Sequence, residues 1–239
     1  VGCVSSFSPR VFKIPRAVVK ILQAADVDFA LLGDEEWCCG FPLLTSGFKK
    51  DFLEFAEHNI QKVNSTGAKY LITSCPSCYY MWEHLYSRLS PEIKMNFEVM
   101  HEVQYIYRLV KEKKLKLNPL DLKVTYHDPC DLGRNSKIFD EPRNLIKSIP
   151  GVQFIELENT REYAACCGGG GNVEAVDARL SEGIAKIRAE EIMNSGAALV
   201  ATACQQCVRT IMQALKKESS KIKVMDISEL VLTSIQNSI

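Results

Sequence analysis

Ten cysteines constrain the fold of this 239-residue chain more than any other feature, because all ten recur in one register. The first half carries a lone cysteine, a Cys-Cys-Gly string and a Cys-x-x-Cys pair, and the second half repeats all three after 127 to 129 residues. Offsets that drift so little indicate a duplicated unit. We therefore predict two repeats, 1–118 and 119–239. The matched cysteines are Cys3 with Cys130, Cys38 and Cys39 with Cys166 and Cys167, and Cys75 and Cys78 with Cys204 and Cys207.

The apolar pattern alternates between short runs typical of buried strands and longer stretches with helical spacing. Such alternation indicates parallel sheets with helices on their faces. The predicted fold class is α/β, with two tandem Rossmann-like parallel-sheet repeats related by pseudo-two-fold symmetry. Strands are expected at 27–32, 70–73, 97–100, 124–126, 154–157, 198–202 and 224–225, with another leading into Cys3. Helices are expected at 14–25, 52–63, 76–85, 103–110, 143–149, 177–193, 211–215 and 228–235.

The chain starts at Val1 without a methionine, two residues before Cys3. A strand leading into Cys3 needs about five residues. We therefore expect the sequence to be cut from a longer one.

Each cysteine group follows the carboxyl end of an expected strand, which is where open α/β sheets bind ligands. Loops from three neighbouring strands then bring five sulfurs together in each half. Helices that begin near Pro76 and Gln205 direct their N-termini at the same point, which favours an anionic group there.

The number of sulfurs bears on what they bind. A structural zinc ion takes four ligands, so a fifth cysteine in each half is unexplained by zinc. Five thiolates favour iron–sulfur chemistry. Zinc in at least one half stays open as an alternative, and so do disulfides, although these belong to oxidising compartments.

The charge balance excludes some function classes. Lys and Arg number 29, as do Asp and Glu, so the chain lacks the basic surplus of a nucleic-acid-binding protein. No apolar run reaches the roughly 18 to 20 residues that span a bilayer, and no signal peptide is visible. We expect a cytoplasmic protein that binds no nucleic acid.

The motif set resembles the cysteine-rich CCG domain over essentially the whole chain. That domain occurs in heterodisulfide reductase subunits of the B and D types, and in iron–sulfur subunits that oxidise lactate, glycolate or glycerol-3-phosphate. The motifs that carry the resemblance are Cys3, Cys38-Cys39-Gly40, Cys75-Pro76-Ser77-Cys78, His127-Asp128-Pro129-Cys130, Cys166-Cys167-Gly168 and Cys204-Gln205-Gln206-Cys207.

The resemblance implies two non-cubane [4Fe-4S] clusters, one in each repeat. Two departures from the family pattern bear on what the cluster edge accepts: Asp131 stands where many relatives have His, and Gln205-Gln206 stands where many have Pro-Phe. Neither departure removes a ligand. The implied ligands of one cluster are Cys3, Cys38, Cys39, Cys75 and Cys78, and those of the other are Cys130, Cys166, Cys167, Cys204 and Cys207.

The resemblance also implies an oxidoreductase subunit that reduces or oxidises a disulfide/thiol pair. Splitting a disulfide takes two electrons, so two one-electron clusters suit it. Two alternatives remain: an electron-relay subunit of a dehydrogenase that feeds a quinone pool, and a sensor or non-redox scaffold. Expected partners are ferredoxin-like, flavin or haem electron-transfer subunits, with a ferredoxin-like module upstream or on another subunit. A membrane protein among these partners would make the chain membrane-associated.

Three further residues lie near the cysteines. His127 either protonates a leaving thiolate or is a polar residue held at a strand end by a backbone hydrogen bond. Arg134 and Arg209 either neutralise cluster charge and bind an anionic substrate, or are surface residues.

Overall fold

The computed structural model describes residues 1–89 and 91–236, and every strand pair in this part of the chain is parallel. The strands are β1 (Tyr70–Thr73), β2 (Glu98–His101), β3 (Leu122–His127), β4 (Val152–Ile155), β5 (Leu199–Thr202) and β6 (Lys223–Asp226). One sheet pairs β1 with β2, and a second sheet has the order β4-β3-β5-β6. The α/β class with parallel sheets is therefore confirmed.

Helices follow the strands along both halves. A π-helical stretch, Met81–Tyr86, joins α5 to α6, and short 3-10 turns occupy Gly33–Glu35 and Arg161–Tyr163. The helices are α1 (Cys3–Phe7), α2 (Lys13–Ala24), α3 (Phe41–Thr45), α4 (Lys49–Ser65), α5 (Pro76–Tyr80), α6 (Ser87–Leu89), α7 (Glu102–Lys111), α8 (Asp140–Lys147), α9 (Val173–Val176), α10 (Ala178–Asn194), α11 (Gln205–Lys217) and α12 (Ile227–Gln236).

The strand expected at 27–32 is wrong, because this segment has no regular structure. A strand needs a neighbour to satisfy its backbone groups. In the larger sheet, β3 supplies that neighbour to β4. Among residues 1–89 and 91–236 no strand pairs with 27–32. The strand expected to lead into Cys3 would lie mostly before Val1, so it stays a prediction.

One hydrophobic core joins the two halves of the chain. Phe52 and Tyr86 belong to the same buried cluster as Leu132 and Leu230. Helix α2 packs against α12, and α7 packs against α8. These contacts hold the loops that follow β1 and β5 close together, and both loops carry cysteines.

Candidate metal centres

The first quintet, as we call the five cysteines before residue 80, converges from three loops. Cys3 begins α1, Cys38 and Cys39 lie just before α3, Cys75 precedes α5, and Cys78 lies in the first turn of α5. Sγ of Cys3 lies 4.0 Å from Sγ of Cys38. Cys39 donates to Cys38, and Cys78 donates to both Cys39 and Cys75, which shifts the pKa values of these four thiols. Contacts between successive sulfurs therefore link the five thiols into one series.

The second quintet repeats this arrangement after residue 129. Cys130 follows β3, Cys166 and Cys167 precede α9, Cys204 precedes α11, and Cys207 lies in its first turn. Sγ of Cys167 lies 3.2 Å from Sγ of Cys207. Burial raises the pKa of Cys130 to about 12, and the charges of Cys204 and Cys167 add to this effect. Cys130 and Cys166 are exposed, whereas Cys167, Cys204 and Cys207 are buried.

A glycine follows each Cys-Cys pair because no other residue fits. Gly40 and Gly168 have φ angles of 78° and 84°, in the left-handed region that favours glycine. A Cβ atom on Gly168 would lie 2.4 Å from the carbonyl oxygen of Ser181, and one on Gly40 would lie 2.7 Å from the ring of Phe52. The backbone of each corner thus packs directly on a helix of its own half, α4 for Gly40 and α10 for Gly168, and this fixes where the two cysteines lie.

Repulsion between neighbouring thiolates determines that such a set of thiols needs a cation. Hydrogen bonds from Cys3 and Cys39 lower the pKa of Cys38 to about 3, while the hydrogen bond with Cys38 raises the pKa of Cys3. Thiolates this close raise one another's pKa, so they cannot all ionise without a cation among them. All ten cysteines are free thiols, which favours metal binding over disulfides. Five thiolate donors exceed a tetrahedral zinc site and fit an iron–sulfur cluster.

The two quintets adjoin each other through polar contacts between their loops. Nε2 of Gln205 donates to the carbonyl oxygen of Ser74 at 2.7 Å and to its hydroxyl at 2.8 Å. Ser77 Oγ donates to Asp131 Oδ2 at 2.5 Å. Asp131 and Gln205, two of the expected departures from the family pattern, thus join the two candidate centres, whereas Gln206 donates to Glu174.

His127 lies buried at the end of β3, where the sequence placed it, but another side chain fixes it instead of a backbone group. Nε of Arg188 donates to its Nδ1 at 3.0 Å. Ligand atoms of His127, Cys167 and Cys207 all lie within 4.8 Å of one another. Burial lowers the pKa of His127. Sequence reasoning missed Arg188; its signal is an arginine on the buried face of α10, among small and apolar residues.

The loop that leads to Cys130 is held by a second contact that sequence reasoning missed. Arg143 donates to both carboxylate oxygens of Asp128 at 2.7 Å, and both side chains are buried. The same guanidinium reaches Glu156 at 2.9 Å. A bidentate, charge-assisted pair of this kind fixes orientation as well as position. It fixes the loop through the residue next to His127.

Arg134 and Arg209 bind protein groups. Arg134 donates to the carbonyl oxygens of Glu162 at 3.1 Å and Ala164 at 2.7 Å, just before the Cys166 corner. Arg209 pairs with Glu174. These contacts support a structural role for each arginine beside the second quintet.

Comparison with known proteins decides the family. The model of the CCG cysteine-rich domain matches residues 1–83 and 124–212. These two segments contain all ten cysteines. This chain belongs to the CCG domain family. The model matches one segment in each half of the chain, and each segment contains five of the repeated cysteines.

The chain is similar to three oxidoreductase components in particular. It is 32% identical over its full length to the D subunit of dihydromethanophenazine:CoB--CoM heterodisulfide reductase from Methanosarcina acetivorans, of which it covers 58%. It is 33% identical to the EtfAB:quinone oxidoreductase of Syntrophomonas wolfei, over 98% of this chain and 34% of that protein. It is 30% identical to the B subunit of the fumarate reductase (CoM/CoB) of Methanothermobacter marburgensis, over 96% and 44%. The chain thus spans 58% of the length of the D subunit and smaller shares of the other two relatives.

The helices were also tested for length and hydropathy. Within residues 1–89 and 91–236, none is long and apolar enough to cross a membrane.

Proposed function

We propose that this chain is the iron–sulfur part of an oxidoreductase and binds two non-cubane [4Fe-4S] clusters, one in each quintet. The observation that carries the proposal is the convergence of ten free thiols into two adjoining sets of five. When bound, such clusters supply one-electron transfer and an iron edge that binds sulfur. The ligands would be Cys3, Cys38, Cys39, Cys75 and Cys78 in one set, and Cys130, Cys166, Cys167, Cys204 and Cys207 in the other.

The protein groups around each quintet suit an anionic cluster. Helices α5 and α11 begin directly after Cys75 and Cys204. Backbone N–H groups of Cys78 and Ser77 donate to the Cys75 thiolate, and with the hydrogen bond from the Cys78 thiol they lower its pKa. At Cys204 the thiol and the N–H of Cys207, in the first turn of α11, also act to lower the pKa, but burial and the charges of Cys75 and Cys167 outweigh them and raise it. Donors of this kind stabilise thiolate charge.

We also propose that the halves 1–118 and 119–239 are two Rossmann-like CCG repeats related by a pseudo-two-fold axis. The contact of α2 with α12 has its counterpart in the contact of α8 with α7. Helices α7 and α12 begin with matching caps: Gln104 accepts from the N–H of His101, and Glu229 accepts from the N–H of Asp226. Duplication explains why the cysteine register drifts so little.

The reaction proposed is reduction or oxidation of a disulfide/thiol pair. A disulfide takes two electrons, and two adjoining one-electron centres can supply one to each sulfur. Cys130 and Cys166 are exposed, so the second quintet is open to a small substrate. The similarity to a component of heterodisulfide reductase supports this choice.

A second function is favoured by a specific observation. The chain is equally similar to an EtfAB:quinone oxidoreductase, which suggests an electron relay to a quinone pool. In either case we propose ferredoxin-like, flavin or haem subunits as partners, with a membrane protein as a further partner.

Two matched variants test the metal centres. Wild-type protein purified without oxygen should contain about eight iron atoms per chain, as two four-iron clusters require. Cys78→Ser and Cys207→Ser remove equivalent ligands, one from each quintet, and each variant should keep about four. Zinc at one or two atoms per chain in the wild type would overturn the proposal.

The substrate is tested on the intact protein. Protein reduced with dithionite and freed of excess reductant should convert about one small disulfide to two thiols for every two electrons it holds. If the reduced protein does not reduce disulfides but transfers its electrons to a quinone analogue, the relay function holds in place of disulfide chemistry.

A further inference from the structure

The second quintet contains a hydrogen-bonded series that its ligands alone do not explain. Glu191 accepts from Nη1 of Arg188 at 2.6 Å, and Nε of Arg188 donates to Nδ1 of His127 at 3.0 Å. Ligand atoms of His127, Cys167 and Cys207 lie within 4.8 Å of one another, and because Arg188 occupies Nδ1, Nε2 is the ring nitrogen left for Sγ of Cys167. Both Arg188 and His127 are fully buried, with 0% and 1% of their surfaces exposed. The geometry is therefore fixed by the protein interior.

Arginine determines which nitrogen of His127 carries the proton. A guanidinium only donates and stays charged, so Nδ1 of His127 must accept and cannot carry a hydrogen. A neutral imidazole then has its proton on Nε2. That N–H is the one available to the sulfur of Cys167, which lies within 4.8 Å of the ring. Hydrogen bonds from Cys166 and Cys207 lower the pKa of Cys167 most, and donation from His127 acts in the same direction.

The same contact makes His127 a poor metal ligand. A histidine that binds metal through one nitrogen donates its other N–H to a nearby acceptor. Here the other nitrogen meets a donor, so metal on Nε2 would require an imidazolate anion in the protein interior. The proton on Nε2 avoids that charge.

We propose that His127 is a neutral Nε2–H donor to Cys167, held in that tautomer by Arg188 as a positioning residue, and that this hydrogen bond makes the second cluster easier to reduce. The inference rests on the proposed cluster ligation. Reduction adds negative charge that spreads to the ligand sulfurs, and a donor aimed at one of them stabilises the reduced form.

The first repeat differs at the corresponding position, so the effect belongs to one centre. Helices α4 and α10 both have 17 residues, and their buried positions match when α4 is shifted by 129 residues. Asn59 then corresponds to Arg188. The amide of Asn59 donates to the carbonyl oxygen of Cys38 and to the hydroxyl of Tyr86. In the first repeat, therefore, the neutral amide of Asn59 stands where the second repeat has the guanidinium of Arg188, which fixes the ring of His127 beside Cys167.

The test is a redox titration of the anaerobically purified protein, followed by EPR. His127→Leu removes the donor and should make reduction of one of the two clusters at least tenfold less favourable, a shift of about 59 mV for one electron. The other potential should stay unchanged. Arg188→Met should give a shift of the same sign, because the ring tautomer is no longer fixed, and Arg188→Lys should restore most of it. Asn59→Ala, at the matched position of α4, should leave the second potential unchanged.

A second readout detects the proton itself. Pulsed EPR of the reduced wild type in D2O should show an exchangeable deuteron coupled to one cluster, and this coupling should be absent in His127→Leu. Unchanged potentials with full iron content would overturn the inference while leaving the proposed function intact. Loss of about four iron atoms in His127→Leu would make the residue a ligand and would also overturn it. A wild type without iron would overturn the proposed function first.

Discussion

At the scale of single residues, the glycine after each Cys-Cys pair is the most sensitive position. Gly168→Ala combines a strained φ of 84° with a Cβ atom 2.4 Å from a backbone oxygen. Strain and overpacking together should lower the free energy of unfolding by roughly 3 kcal/mol or more. Urea unfolding and iron content measure the effect, and loss should be confined to about four iron atoms.

Gly196 is a matched control for that substitution. Its φ of 73° is also left-handed, but nothing lies within 4 Å of the position that a Cβ atom would take. Gly196→Ala should therefore cost about 1 kcal/mol, from backbone strain alone, and should keep all the iron. Equal losses of unfolding free energy in the two variants would show that the close approach of Gly168 to Ser181 is unimportant.

The buried ion pair beside Cys130 gives a second expectation at this scale. Arg143→Met leaves Asp128 buried without its partner, which should cost about 3–5 kcal/mol. Arg161→Met breaks a pair with Asp140 whose side chains are 42% and 68% exposed, and should cost less than about 1 kcal/mol. Thermal melting of both variants measures the difference. Similar melting temperatures would contradict a special role for Asp128.

At the scale of elements, the start of α7 and the end of β6 each carry a buried carboxyl group, Glu102 and Asp226. Glu102 is fully buried, and within the part of the chain that the structure describes neither of its carboxyl oxygens has a hydrogen-bond partner. Burial, with the charge of Asp226 next, raises the pKa of Glu102 well above its ordinary value, and burial raises that of Asp226 to about 6. We therefore expect the pair to hold one proton between its two carboxyl groups. Glu229 and Cys75, which also face Glu102, raise its pKa further.

This pair makes stability depend on pH. The folded chain keeps a proton that the unfolded chain releases above about pH 4.5. The pair's contribution is therefore full below that pH and is lost as the pH rises through the folded pKa values, by about 1.4 kcal/mol per pH unit for one proton. Glu102→Gln keeps a donor to Asp226 without this loss. Its melting temperature should match that of the wild type at pH 5 and exceed it at pH 8.

The control for this expectation is the exposed Glu54. Glu54→Gln should leave the melting temperature unchanged at both pH values. A Glu102→Gln variant that is less stable than the wild type at pH 8 would show that no proton is shared.

Elements differ in how far the sequence predicts them. The strand at 70–73 is confirmed to the residue, because its apolar run is short and a cysteine loop ends it. The segment 27–32 is equally apolar, yet it lacks a neighbouring strand, and apolar pattern alone does not reveal pairing. Arg188 was missed for a related reason: its partner, His127, lies 61 residues away, and no local pattern links the two.

The site could be predicted further than the fold around it. Spacing alone assigned the ten cysteines to two sets, because a duplicated register constrains which loops meet. What lies between the sets could not be predicted, since the bond from Gln205 to Ser74 joins residues 131 positions apart. The available signal was the expected departures from the family pattern, because two of them, Asp131 and Gln205, make the contacts between the two sets.

At the scale of the whole molecule, the two halves share one core and present their quintets side by side. The central claim is that each quintet binds its own four-iron cluster. Anomalous X-ray scattering at the iron edge, on crystals grown without oxygen, tests this claim most directly. We expect two separate groups of about four iron atoms, each bound by one quintet. A single tetrahedral ion in either quintet, or sulfurs without any metal between them, would contradict it.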